Sequence, residues 1–260
     1  MSAKNPNSCL PRGQRGFTML ELLIALLIGL FLLGGLSILV QDNKRTFATQ
    51  SSLAQLQDSE RLGMTMMTDI IQQTGYFTNP RLYTLSTALI AQGSIPAGQA
   101  LYGTGTASGT GTGDMITVRY QTNTGDGILN CTGGSNATGA PKPYANSFSV
   151  VVNAAGVSQL VCNMTQGGNA AITVPLVNNV TNLAIYYGVN TSGTGSNVTT
   201  YMTGDQINAA GGTNWNNVVS VQVTMTFLNP MYSATNVGQG TQPQYISFQR
   251  TIGIMAMTGI

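Results

Sequence analysis

The chain has 260 residues, 32 of them glycine, no histidine and only 7% charged side chains, against roughly 25% in ordinary soluble domains. Its formal charge of +2 comes from Lys4, Arg12 and Arg15; without residues 1–16, seven basic residues face eight acidic ones, too weak a basic balance to support a nucleic-acid reading. With no histidine, and with Asp114, Asp126 and Asp205 as the scattered acids of residues 76–260, a Ser/His/Asp set, a histidine metal site and a carboxylate acid/base pair are all excluded.

The first element is a polar leader followed by an apolar run from Phe17 to Val40 that is interrupted by one carboxylate, Glu21. Twenty or so apolar residues at about 1.5 Å each cross a hydrocarbon core of roughly 30 Å, with the basic leader on the cytoplasmic side. An acid inside such a span costs roughly 2.5–3.5 kcal/mol and calls for a cationic partner. A secretory signal carries its small-residue cleavage site after the apolar region, whereas Gly16 comes before it. Cutting there keeps the helix. The plainer alternative is a simple membrane anchor whose Glu21 snorkels to the headgroups.

The stretch Arg15-Gly16-Phe17-Thr18-Met19-Leu20-Glu21 resembles the class III signal of type IV pilins and pseudopilins. That resemblance implies cleavage by a prepilin peptidase between Gly16 and Phe17, N-methylation of the new Phe17 amine, and subunit docking through Glu21. The Phe17 ammonium of one subunit would neutralise Glu21 of a neighbour in an apolar filament core, so that neither charge is buried alone.

Beyond the membrane run, Leu53, Leu56, Met64, Met67, Ile70 and Ile71 recur at spacings near three and four. This predicts one helix from Thr18 to Gln73, apolar all round at first and amphipathic later. Gly29, Gly34 and Gly35 weaken it by about 1 kcal/mol each relative to alanine, either as points that bend on packing or as sites of close helix contact. Gly75 is the expected helix stop. The step Gly75-Tyr76-Phe77, the segment Asn43-Lys44-Arg45-Thr46-Phe47 and the Gly/Leu-rich helix look like PilW-type minor pilins. The likeness is expected to be clear over residues 13–80 and faint afterwards.

Cys9 falls in the leader, which leaves Cys131 and Cys162 as an even pair that an oxidising periplasm lets close into a disulfide; two unpaired thiols are the alternative. A lipoprotein reading of Cys9 lacks an apolar stretch before it. Residues 76–260 read as a β-rich domain with strand patterns at Met115–Gln121, Ser147–Asn153, Val157–Cys162, Ala171–Val177, Leu183–Val189, Val218–Leu228 and Tyr245–Ala256. One antiparallel sheet laid on the second half of the helix buries both apolar faces, an α+β pilin-like fold.

Gly103–Gly113 and Asn190–Ser196 read as mobile surface loops. Asp126 reads as a turn residue rather than a Ca²⁺ ligand. Triplets such as Asn136-Ala137-Thr138 and Asn197-Val198-Thr199 are chance sequons. Trp215, with Tyr186, Tyr187, Tyr201 and Tyr232, either packs in the core or forms an aromatic binding face. Arg81, Arg119, Lys142 and Arg250 are too few and too separated for a DNA groove.

The resemblance therefore implies three segments: a leader over 1–16, a helix over 17–75 and a periplasmic or extracellular domain over 76–260. The implied function is a minor pilin that helps start type IV pilus assembly and supports twitching motility, adhesion or DNA uptake. Its implied partners are the prepilin peptidase, other minor pilins and the major pilin, the inner-membrane assembly platform, and membrane lipid before assembly. DNA is not expected as a direct partner, and neither a metal, a cofactor nor a catalytic activity is expected. Such a protein crosses the inner membrane once, with its C-terminal domain in the periplasm, before joining the pilus on the cell surface. A minor pseudopilin of type II secretion and a membrane-tethered adhesin that never polymerises are the two alternatives.

Overall fold

A computed structural model describes residues 16–107, 113–167, 169–192, 197–232 and 242–255, apart from the side chain of Thr213. The leader residues Lys4, Cys9, Arg12 and Arg15, parts of the two Gly-rich loops (108–112 and 193–196) and Ala256 lie outside the described residues. The chain divides into two compact units, Met1–Ser51 and Ser52–Ile260, and one helix, α1 (Met19–Gln72), has residues in both. In the first unit its leucines, isoleucines and phenylalanines are exposed on every side. A helix apolar all round takes lipid or other chains as its surroundings, and α1 is long and apolar enough to cross a membrane.

The second unit holds two antiparallel sheets rather than the single sheet expected from the sequence. One has the order β1 (Leu101–Thr104), β2 (Met115–Thr122), β3 (Lys142–Val152), β4 (Ser158–Gln166), β5 (Ile172–Asn178). The other has the order β7 (Thr200–Met202), β6 (Val180–Val189), β8 (Val218–Leu228), β9 (Tyr245–Gly253). Two short helices, α2 (Leu85–Ala88) and α3 (Gly204–Ala209), and a 3-10 turn, Thr213–Asn217, complete it. All seven strand patterns form strands. The break between sheets falls at Asn179, whose φ of 63° turns the chain from β5 into β6. A left-handed residue of this kind is most often glycine or asparagine, but asparagine is too common in this chain for the turn to stand out.

Alternation along the strands builds the core. Ile116, Val118 and Tyr120 of β2, Phe148 and Val150 of β3, Leu160, Cys162 and Met164 of β4, Leu183 and Ile185 of β6, and Val221, Val223, Met225 and Phe227 of β8 belong to one buried cluster. The stripe Leu56, Met64, Met67, Ile70 and Ile71 of α1 joins it, as its helical spacing requires. Gly63 sits on the same face. A Cβ there would lie 3.1 Å from Met225 Cε and 3.2 Å from Val177 Cγ2, so the missing side chain lets the helix approach β5 and β8 closely. The helix ends at Gly75, with φ of 77°. The Thr74 hydroxyl donates to the Ile71 carbonyl at 2.6 Å, and the Gly75 N–H donates to the Arg119 carbonyl at 3.0 Å, so the exiting chain ties straight onto β2.

The side chain of Arg119 is fully buried, 1% exposed. It alternates with the core residues Val118 and Tyr120 and so points to the opposite face of the first sheet. There its guanidinium donates to the carbonyls of Gln99 at 3.0 Å and Pro96 at 3.2 Å, and to that of Ile90. Along the same face Arg119 pairs with Ala145 and Ala145 with Thr165, and Gln92 donates to the Thr165 hydroxyl. The segment 85–99 is thus a flap over this face, buried through Ala88, Leu89 and Ile95 and pinned by one arginine. Burial lowers the Arg119 pKa from its ordinary value.

Asp114 links the two sheets. Its N–H donates to the Leu183 carbonyl at 2.7 Å, and its carboxylate accepts from the Ile185 N–H at 2.8 Å and from the Ala107 N–H at 3.1 Å. The stretch expected as a mobile loop, Gly103–Gly113, is therefore anchored at both ends: Gly103 and Thr104 belong to β1, and a Cβ on Gly113 would collide with the Leu183 backbone. Burial raises the Asp114 pKa, against the lowering effect of its two N–H donors, and Asp205 nearby raises it further. A folded-state pKa above the unfolded value of about 3.9 gives a stabilising term that is fully present below that pH and is lost as pH rises through the folded value. Asp114→Asn, which does not titrate, is expected to lose less stability than the wild type between pH 3 and pH 7. Urea unfolding of both proteins across that range checks it; parallel stability curves would refute the shift.

Candidate functional site

At the start of α1, Gly16, Phe17 and Thr18 are non-helical and exposed, with Phe17 at 88%. The Gly16–Phe17 bond is therefore in the irregular, accessible chain that a protease can enter. Glu21 lies in the first helical turn. Its carboxylate accepts from the Thr18 N–H at 2.9 Å and from the Thr18 hydroxyl at 3.1 Å, while the Glu21 N–H points back to the Thr18 hydroxyl at 3.3 Å. The Leu22 N–H donates to the Thr18 carbonyl at 3.2 Å. This reciprocal pair is a capping box, and negative charge at a helix N-terminus is favoured by the helix dipole. Sequence reasoning missed Thr18, although Thr18-Met19-Leu20-Glu21 has the Ser/Thr-x-x-Glu spacing that announces such a box. The Glu21 carboxylate is consequently held in place by Thr18, close in the chain to the Gly16–Phe17 step.

Two known-family models match this chain. The prokaryotic N-terminal methylation motif matches residues 11–37, a span that contains Gly16, Phe17 and Glu21. The model of type IV pilus-assembly protein W matches residues 147–257, from within β3 through β9. The chain is type IV pilin-like. A membrane-type N-terminal helix and a pilus-assembly β segment meet in one polypeptide, and the long helix packed on antiparallel sheets agrees with a pilin fold. The likeness to PilW-type chains does not fade after residue 80, as the motifs alone suggested; it extends over the strands of the domain. No curated protein and no solved structure gives a significant match.

Elsewhere in this pilin-like chain, the remaining candidates take structural positions. Cys131 and Cys162 form a disulfide with Cα atoms 6.2 Å apart and a sequence separation of 31, a loop that contributes on the order of 3–4 kcal/mol in the chain-entropy treatment. It ties the 123–140 loop to β4 through Cys162, and the Cys131 N–H donates to Asn146 Oδ1 of β3 at 3.0 Å. The Asp126 carboxylate accepts from the Asn123 and Ile128 N–H groups at 2.6 and 3.0 Å, the turn role expected of it. Asp205 accepts from the Gly105 N–H at 2.8 Å. The described residues contain no group of three or more His, Cys, Asp or Glu side chains able to hold a metal.

Asn136 is buried and donates to the Thr122 and Ala140 carbonyls at 2.9 and 2.8 Å, so its amide nitrogen is committed to the fold and closed to glycan attachment. Trp215 is 3% exposed and stacks edge-on to Tyr187, with ring centroids 4.8 Å apart. Its other aromatic neighbour is Tyr102, at 5.8 Å, a residue absent from the aromatic set picked out in the sequence. Tyr186, Tyr201 and Tyr232 are partly exposed and form no ring contact with it among the described residues.

Proposed function

We propose that this chain is a minor pilin, processed by prepilin peptidase between Gly16 and Phe17, methylated on the Phe17 amine and inserted into type IV pili through Glu21. Before assembly it crosses the inner membrane once, with residues 76–260 in the periplasm. In the filament it contacts other minor pilins and the major pilin, helps start assembly on the inner-membrane platform, and supports motility, adhesion or DNA uptake. The observation that carries this reading is the coincidence of the methylation motif with an accessible Gly16–Phe17 step in front of an exposed apolar helix. The same signal fits a type II secretion pseudopilin, and the match to type IV pilus-assembly protein W over residues 147–257 favours the pilus.

The protein acts by assembly rather than catalysis. Support comes from Asp114, Asp126 and Asp205, whose carboxylates are each occupied by backbone N–H groups. Mass spectrometry of the native amino terminus tests the proposal. The expected product begins at Phe17 and carries one methyl group. A mature chain that begins upstream of Gly16 would overturn it.

A further inference from the structure

We propose that the cleft beside Trp215 binds an uncharged saccharide. The cleft measures about 590 Å³ and lies between the flap, β1 and the turn that follows α3. Its chemistry comes from Ser94, Gln99, Tyr102, Asn208, Trp215 and Asn216. No acidic or basic side chain lines it. Part of the wall is fixed: the Trp215 indole N–H donates to Asn208 Oδ1 at 2.9 Å, Asn208 Nδ2 donates to the Gly103 carbonyl at 2.9 Å, and Gln99 Nε2 donates to the Leu101 carbonyl at 2.8 Å. The other part is open, since Ser94 Oγ, Tyr102 Oη and the Asn216 amide have no hydrogen-bond partner in the described residues.

Neutral donors and acceptors that converge on a rigid aromatic wall are the features of a built ligand site. An ionic ligand finds no counter-charge here. A hydrocarbon would cover three polar groups without pairing them, at a cost for each. A neutral sugar meets both demands, with hydroxyls for the unpaired groups and C–H faces for the half-buried Tyr102 ring, which Trp215, 3% exposed, backs from behind. The available volume suits a short oligosaccharide. The argument uses the second unit alone, so its failure leaves the filament reading intact.

Trp215 is the only tryptophan of the chain, so its fluorescence reports the cleft directly. The full chain in lauryldimethylamine oxide micelles, which bear no sugar headgroup, is titrated with lactose, cellobiose and diacetylchitobiose, with sialyllactose as the charged comparison. At least one neutral disaccharide is expected to give a saturable change, and sialyllactose to bind no tighter than lactose. Tyr102→Phe and Asn216→Ala are each expected to weaken binding about fivefold, the loss of one hydrogen bond, with circular dichroism and melting temperature unchanged. Absence of a saturable change with all three neutral sugars, binding undiminished in both variants, or tighter binding of the charged sugar would each overturn the proposal.

Discussion

Glu21→Ala is expected to be cut and methylated at Phe17 but to enter filaments at less than about one hundredth of the wild-type level. Removing one member of a buried ion pair costs roughly 3–5 kcal/mol, because the other charge is left without a partner, and every 1.4 kcal/mol is tenfold in an equilibrium. In the structure the same carboxylate also caps its own helix through Thr18, so alanine removes two things at once. Two further variants separate them. Glu21→Gln keeps an acceptor for the Thr18 N–H and loses only the charge, since glutamine also completes a capping box. Thr18→Ala keeps the charge and loses the cap, at a cost of about 1 kcal/mol. If docking is electrostatic, Gln fails in assembly as Ala does, and Thr18→Ala assembles nearly normally. The readout is immunoblotting of sheared surface filaments against the membrane fraction. Wild-type incorporation of Glu21→Gln would remove the docking role and leave Glu21 as a capping residue.

Arg119→Met is expected to destabilise the second unit by about 3–5 kcal/mol, the range seen when a buried charged hydrogen-bond set is broken. Methionine fills much of the arginine volume, so the loss is in hydrogen bonding rather than packing. The carbonyls of Ile90, Pro96 and Gln99 lose the guanidinium that now serves them, and the flap over residues 85–99 loses its pin. Relief from burying a charge offsets part of that cost. Arg119→Lys is expected to be intermediate, because a single ammonium cannot present the planar fork that reaches three separate carbonyls. Urea unfolding gives the global loss, and limited proteolysis reports the flap, whose cleavage should accelerate in Met and then in Lys. A Met variant within about 1 kcal/mol of the wild type, with an equally resistant flap, would show that the flap is held by Ala88, Leu89 and Ile95 alone.

The two residues differ in how legible they were. Glu21 announces itself because a carboxylate in an apolar run is a local anomaly, visible without any fold. Arg119 lies in the strand pattern of β2 as one polar residue among several, and its importance depends on carbonyls some 20 to 29 residues away. Asp114 is similar: its partner Ile185 is 71 residues along the chain. Thr18 was readable and was passed over, because the same four residues already served another motif.

By itself the sequence determined the helix α1 with its apolar and amphipathic halves, its stop at Gly75, the seven main strands and the likeness of the stretch containing Gly16, Phe17 and Glu21 to the N-terminal methylation motif. These follow from periodicity, backbone preference and local charge, all of which act between residues close in the chain. Only the tertiary structure decided that the strands divide into two sheets at Asn179, that Asp114 links those sheets, that Arg119 holds a flap, and that Trp215 has Tyr102 for a neighbour. Each of these depends on which distant segments pair, and that choice is made by the shared burial of faces and the matching of backbone donors with acceptors, which no local pattern encodes.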